Sequence, residues 1–498
     1  MRWCGRLLLL PLLGFSGGDP EPILVGRVRD DHGPVAGARV RFRGGAEVVV
    51  TDETGTFRLP GRPSASRRIT AATPRHLIGS VPSDSVPLVI TLQPVPSDDD
   101  EEYSWVDPAP QSAGEHRCGR CHREAYREWS ASGHARSATN RWFRSLFDGS
   151  DWHGRPNVGW GLLIDHPDGA GVCTACHAPT VSPGDPAFFD LRQVEGVAAR
   201  GVHCDFCHKI ADVWADSQGL THGRFALALR RPRAGQLFFG PFDDVDRGED
   251  VYAPFYRHSR YCAPCHEGIV FGVPVYTTYS EWRESPFARQ GQQCQDCHMK
   301  PTGRQTELAI GSDIRRNPWS VSNHRFFAGS RADMLRQAAR LSAEVRAGSD
   351  EVVVEVAVRA ESVGHRLPTG FVDRHLLLVV DGKDAGSSSL PLRRGPVLPS
   401  AAGPGWAGRP GRLYAKLLTD DSGHSPAPFW RPIRSVADTR LAPGQEDRLR
   451  LVFPPGTMQV HVQLLYRRFW KEVADLKGWP DETLVVAERR LVTPIPDR

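Results

Sequence analysis

Nowhere in the 498 residues is there a run of the ~20 apolar residues that a membrane-spanning helix needs. A basic stripe with interleaved aromatics is also missing, and a net charge of +4 gives nucleic-acid binding no support. Methionine is scarce: Met299, Met334 and Met458 are all that follow the initiator. Thioether ligation of a metal is thereby nearly excluded. Cysteine, apart from Cys4, is absent outside one repeated pentapeptide.

The chain opens "MRWCGRLLLLPLLGF", two arginines ahead of an apolar run from Leu7 to Leu13, with small residues from Ser16 to Gly18. This reads as a secretory signal over residues 1–18. The run is too short to span a bilayer, so the expected protein is exported, periplasmic or extracellular, with no transmembrane segment. Cys4 precedes the apolar run and is discarded with it. A chain of this length holds two to four domains. With 49 glycines and 41 prolines those domains are rich in turns rather than long helices.

The ten remaining cysteines all lie in Cys-x-x-Cys-His: Cys118, Cys121 and His122; Cys173, Cys176 and His177; Cys204, Cys207 and His208; Cys262, Cys265 and His266; Cys294, Cys297 and His298. Composition alone would give roughly 0.01 such motifs. Two thiols three positions apart can each form a thioether to a haem vinyl group, and the following histidine then swings under the ring to bind iron. Structural zinc does not require a histidine after every second cysteine, and disulfides would not explain the histidines. Five c-type haems are the expected cofactors. Between Cys118 and His298 each has fewer than forty residues of its own, so the haems must form much of the core and approach one another.

Each iron needs a second axial ligand unless its face is open. Nineteen histidines less five proximal ones leave fourteen, so mostly bis-histidine haems of low potential are expected. In "CGRCHREAYREWSASGH", a helical path from His122 to His134 rises ~18 Å and turns by about 120°, whereas two nitrogens on one iron sit only ~4 Å apart. His134 is therefore expected to serve a different haem from the one held by His122.

The stretch "CGRCHREAYREWSASGHARSA" resembles the first haem segment of multihaem cytochromes related to hydroxylamine oxidoreductase and the tetrahaem carrier that serves it. The likeness continues through "GVCTACHAP", "GVHCDFCHKI", "RHSRYCAPCHEG" and "YSEWRESPFARQGQQCQDCHM", over roughly residues 103–345. It implies that His134, His258 in "RHSRYC" and His324 in "SNHRFFAG" are distal ligands. "SVGHRLPTGF" resembles a C-terminal segment of such cytochromes in which a histidine reaches back to a haem, which makes His365 the fourth. The fifth stays open among His153, His203 and His222, with His166 a further loop histidine of the same region. If none of these binds, one haem is five-coordinate.

Outside the haem region, residues 21–94 contain short alternating or β-branched runs, "ILVGRVRD", "PVAGARVRF" and "VPLVITL", between Gly, Pro and Asp turns, a β-sandwich pattern. The order "GRVRDDHGPVAGARVRFRGG…TDETGTFRLPG" resembles the carboxypeptidase-regulatory-like domain, an Ig-like sandwich. His32 and Asp52 read as turn residues. Residues 95–114, with an acidic run from Asp98 to Glu102, read as a solvated linker. Residues 331–347 read as a helix with Met334, Ala338, Leu341 and Val345 on one face, ended by Gly348. From "EVVVEVAV" onward the strands return.

The expected architecture is multidomain: an Ig-like β-sandwich (21–94), a linker (95–114), a mainly helix-and-loop pentahaem cytochrome c domain with little regular structure (115–348), and a β-rich, sandwich-like domain (349–498). The expected function is electron transfer to redox protein partners, with no catalytic residue assigned. The alternatives are an oxidoreductase acting on a small nitrogen or sulfur compound at a five-coordinate haem, and a subunit of an extracellular cytochrome polymer or surface assembly docking through its β domains.

Overall fold

The structure is a computed structural model that describes residues 22–111, 117–168, 173–181, 189–214, 223–327 and 332–494. The signal-peptide reading of residues 1–18, and His222, lie outside the described residues. The chain divides into two compact units, one comprising residues up to Val95 together with Phe242–Tyr252, the other comprising Pro96–Pro241 and Ala253 onward.

In the first unit two four-stranded sheets face each other. Ile23–Asp30 pairs antiparallel with Thr56–Pro60 and parallel with Val89–Thr91, while Arg39–Phe42 pairs with Arg68–Ala72. Alternation puts Val28, Phe57, Leu59 and Ile90 of one sheet and Val40, Phe42, Ile69 and Ala71 of the other into one core. Asp52 is a turn residue, its Oδ1 accepting the backbone N–H groups of Thr54 and Thr56, both at 2.9 Å. Gly55 closes that turn at φ +70°, where a Cβ would meet the Val28 carbonyl oxygen at 2.3 Å.

The outward positions of Arg39–Phe42 and its extension are Arg39, Arg41 and Arg43, one every second residue. This cationic row takes up the acidic segment from residue 242 to 252. Arg39 pairs with Asp243 at 2.7 Å, Arg41 with Asp244 at 3.1 Å, and Arg43 with Asp246 at 2.7 Å. The Ile78 N–H donates to the Asp250 carbonyl at 2.8 Å. A segment distant in sequence thus belongs to the N-terminal unit through the spacing of three arginines.

The second unit begins with short helices and loops and ends in strands. Ala339–Ala347, Val352–Ala360 and Glu446–Phe453 form a three-stranded sheet, and His375–Lys383 lies inside a six-stranded one between Gly411–Asp420 and Gln459–Arg467. Val354, Val356, Val358 and Leu451 share a core with Leu376, Leu378, Val380, Val462 and Leu464. The opposite face of the larger sheet, with Leu377, Val379, Leu413 and Leu465, packs against Leu146, Phe147, Trp160 and Leu162 of the helical region. His375–Lys383 is therefore buried on both faces, as its unbroken "LLLVV" run requires.

Two expectations are corrected. Residues 331–347 are not one helix: Ala332–Ala338 is helical and Ala339–Ala347 is a strand paired with Val352–Ala360 over nine residues. Leu341 and Val345 satisfy a helical spacing and a strand alternation alike, and the long ladder decides in favour of the strand. Nor is the acidic run of 95–114 wholly solvated. Asp99 pairs with Arg231 at 2.6 Å, and that guanidinium side chain is only 5% exposed.

Candidate haem centres

Each Cys-x-x-Cys-His forms a single turn. Backbone N–H groups of His122, His177, His208 and His266 donate to the carbonyls of Cys118, Cys173, Cys204 and Cys262 at 2.8, 3.0, 3.0 and 3.1 Å. The fifth turn, Cys294–His298, is closed by a capping box between Gln293 and Asp296. Three-residue spacing on a helical turn puts both thiols on one side, with the histidine beyond them. None of these ten cysteines is joined to another in a disulfide. Among the described residues no three His, Cys, Asp or Glu side chains are grouped as a lone metal ion would need.

The imidazoles are oriented for iron. Nδ1 of His122 faces the Leu308 carbonyl at 2.7 Å, that of His177 the Ser137 carbonyl at 3.1 Å, that of His208 the Phe239 carbonyl at 2.7 Å, and that of His298 the Phe327 carbonyl. A carbonyl only accepts, so Nδ1 carries the proton and Nε2 presents its lone pair, the tautomer a metal takes. Burial favours the neutral form of four of the proximal rings, pushing His177 down to about 4 and His266 to about 3, with His208 and His298 also lowered. His266 nonetheless exposes much of its area.

Two histidine pairs have an axial spacing. His134 and His266 have ring centres 6.2 Å apart, and so do His298 and His365. Metal–imidazole bonds of ~2 Å and ring atoms ~1.1 Å from their centre would separate trans ligands by ~6.3 Å. Burial pushes both His134 and His365 down to about 4, which leaves them neutral and able to ligate. His324, likewise pushed down to about 4, lies within electrostatic reach of both His208 and His122. Its backbone N–H is held by buried Glu128 at 2.8 Å. Phe326, a non-glycine residue at φ +46°, packs edge-on between His134 at 4.4 Å and His324 at 6.0 Å. Such a conformation persists only where its surroundings enforce it.

The other candidates are placed differently. His258 is exposed, and its carbonyl accepts from Gln295 at 2.8 Å. His203 is fully buried with both nitrogens engaged: Nδ1 accepts the Phe206 N–H at 3.3 Å, which leaves Nε2 as the donor to Thr180 Oγ1 at 3.2 Å. It caps the third attachment turn. His166 donates from Nε2 to the Trp430 carbonyl at 2.7 Å, and His153 is exposed. The face of the His177 ring is covered by Phe143, parallel at 3.7 Å.

Contacts among thiols give the neighbour relations. Cys118 and Cys204 are in hydrogen-bond contact, as are Cys176 with Cys265 and Cys262 with Cys294. Cys265 acts electrostatically on Cys207. Sequence reasoning missed these relations, together with Phe326 and a buried Lys209–Asp205 pair. Only Lys209 left a sequence signal, as a lysine directly after His208.

Thiol pairs on single turns, Nε2-directed neutral imidazoles and histidines at axial spacing support a multihaem c-type cytochrome with c-type haem as cofactor. The comparisons agree with that class. The family described as cytochrome c554 and c-prime matches over residues 117–209. The crystal structure of a penta-heme cytochrome c552 from Thermochromatium tepidum is similar in fold, with a TM-score of 0.53 and 21% identity over 75% of this chain and 97% of that one. No curated protein matches the chain. Among the described residues no helix is long and apolar enough to cross a membrane.

Proposed function

We propose that the chain is an exported pentahaem electron-transfer protein whose five Cys-x-x-Cys-His turns each hold one haem. The 6.2 Å separation within both histidine pairs carries this reading. Haem supplies a one-electron ferric/ferrous couple. His134 is then the distal ligand at the Cys262–Cys265 site, opposite His266. His365 takes that role at the Cys294–Cys297 site, opposite His298. His324 serves one of the adjacent His122 and His208 sites, and His258 together with one of His153, His203 and His222 are the candidates for the two sites that remain. Thiol contacts link the first site to the third, the second to the fourth and the fourth to the fifth, and the third lies within electrostatic reach of the fourth. Cys121 and Cys297 are the exposed attachment thiols, which fits the first and fifth sites as the points where electrons enter and leave through redox protein partners. The first unit, with its two facing sheets, supports an Ig-like, carboxypeptidase-regulatory-like accessory module.

A second reading draws on His177, whose ring meets Phe143 rather than another imidazole among the described residues. It makes the second site five-coordinate and open to a small nitrogen or sulfur compound. Electron paramagnetic resonance of the oxidised protein, with haem counted by mass, separates the two. Five low-spin haems are expected for the carrier. A high-spin ferric signal that changes on adding nitrite or hydroxylamine would overturn it in favour of the second reading.

A further inference from the structure

The third attachment turn contains an ion pair that haem attachment does not require. Asp205 lies between Cys204 and Cys207, and Lys209 directly follows His208. Lys209 Nζ meets Asp205 Oδ1 at 2.6 Å with both side chains wholly buried. The second carboxylate oxygen accepts the Val106 N–H at 3.0 Å and faces the Tyr103 hydroxyl at 3.1 Å. The ammonium also sits over Phe238, 4.2 Å from the ring centre. Phe239 of the same strand holds Nδ1 of His208, so one strand fixes both the iron-binding imidazole and the charge beside it.

Two charges withdrawn from water are a costly way to hold a turn together, and apolar residues of similar volume serve as well or better. Their effect on a neighbouring redox centre is a different matter, because a buried charge acts through little screening. Asp205 lies between the two attachment thiols and Lys209 adjoins His208, so both charges sit beside the iron-binding imidazole.

Resting on the pentahaem reading, we propose that the Lys209–Asp205 pair is a balanced electrostatic element, in which each buried charge holds the midpoint potential of the haem held by Cys204, Cys207 and His208 against the shift the other alone would impose. Reduction adds one electron to ferric iron. A nearby anion opposes that step and a nearby cation favours it, so each member of the pair offsets the other.

The test is a potentiometric titration of the purified full-length protein, with haem number fixed by mass. Lys209→Met should move one of the five components to lower potential, Asp205→Asn should move the same component upward, and the double variant should return it close to wild type. A merely structural role would not reverse sign between the single variants. Tyr103→Phe, which keeps both charges, should give a smaller downward shift of that component and covers the case in which a single variant fails to fold. Shifts of the same sign, or an unmoved component in Tyr103→Phe and in whichever charge variants fold, would overturn the proposal while leaving the pentahaem reading intact. Fewer than five haems in the wild type would instead refute the reading beneath it.

Discussion

At the scale of single residues, the histidine pairs make the sharpest demands. Replacing His134 with alanine removes the ring 6.2 Å from His266 without touching any attachment cysteine. All five haems should stay covalently bound by mass, and one should turn high-spin in electron paramagnetic resonance. Loss of the first haem instead would refute the pairing. A second residue, Asp373, carries a prediction about stability. It is buried, and its Oδ2 has no hydrogen-bond partner. Burial pushes its carboxyl up to about 7, against a usual value of 3.8. The unfolded chain then loses its proton first, so stability is highest at low pH and falls as pH rises between those two values. Asp373→Asn should raise the melting temperature at pH 8, where up to about 2–4 kcal/mol is at stake, and change little at pH 4. A gain of equal size at both pH values would argue against a burial cost. Among these residues the attachment motifs were legible because a covalent bond fixes their spacing in sequence. Ligand pairing was legible only in part: helix geometry separated His134 from its own haem, but its partner His266 lies 132 residues along the chain. His203 stood among the open candidates because nothing local reveals that its two nitrogens go to Phe206 and Thr180.

At the scale of elements, periodicity was legible where one pattern fitted and misleading where two did. Val352, Val354, Val356 and Val358 alternate without rival, and Val352–Ala360 is a strand. From Ala338 to Val345 the apolar residues suit both a helix face and a strand face, and pairing with a distant neighbour decided the outcome. The paired register makes Leu341 and Val358 direct cross-strand neighbours, both buried. Leu341→Ala alone should cost about 2–4 kcal/mol. Combined with Val358→Ala it should show a coupling of about 0.5–1 kcal/mol in a double-mutant cycle by denaturant unfolding. Strict additivity would contradict the pairing. Arg340→Ala, on the exposed side of the same strand, should stay within about 0.5 kcal/mol of wild type.

At the scale of the whole molecule, chain order and structural order part company. The sequence reading divided the chain into consecutive blocks, because composition changes along it in blocks. The acidic "FDDVDRGED" lies among haem motifs and shows no strand pattern of its own, yet it belongs with residues more than 140 positions earlier. What binds it is the row of Arg39, Arg41 and Arg43, visible in sequence but with no stated partner. Two units with separate cores should melt in separate transitions. Asp244 tests this, since its wholly buried carboxylate takes the Gly44 N–H at 2.8 Å and the Arg41 guanidinium at 3.1 Å. Asp244→Ala takes the acceptor from both half-buried donors, leaving Arg41 with Asp243 at 3.4 Å, a cost of about 1–3 kcal/mol. For a unit of this size that corresponds to a fall of roughly 5–15 °C in its melting temperature. Calorimetry should show that fall in one transition only, with the Soret spectrum and the haem-linked transition unchanged. A shift of both transitions together would mean that the molecule unfolds as one body and that the acidic segment is held by more than its arginines.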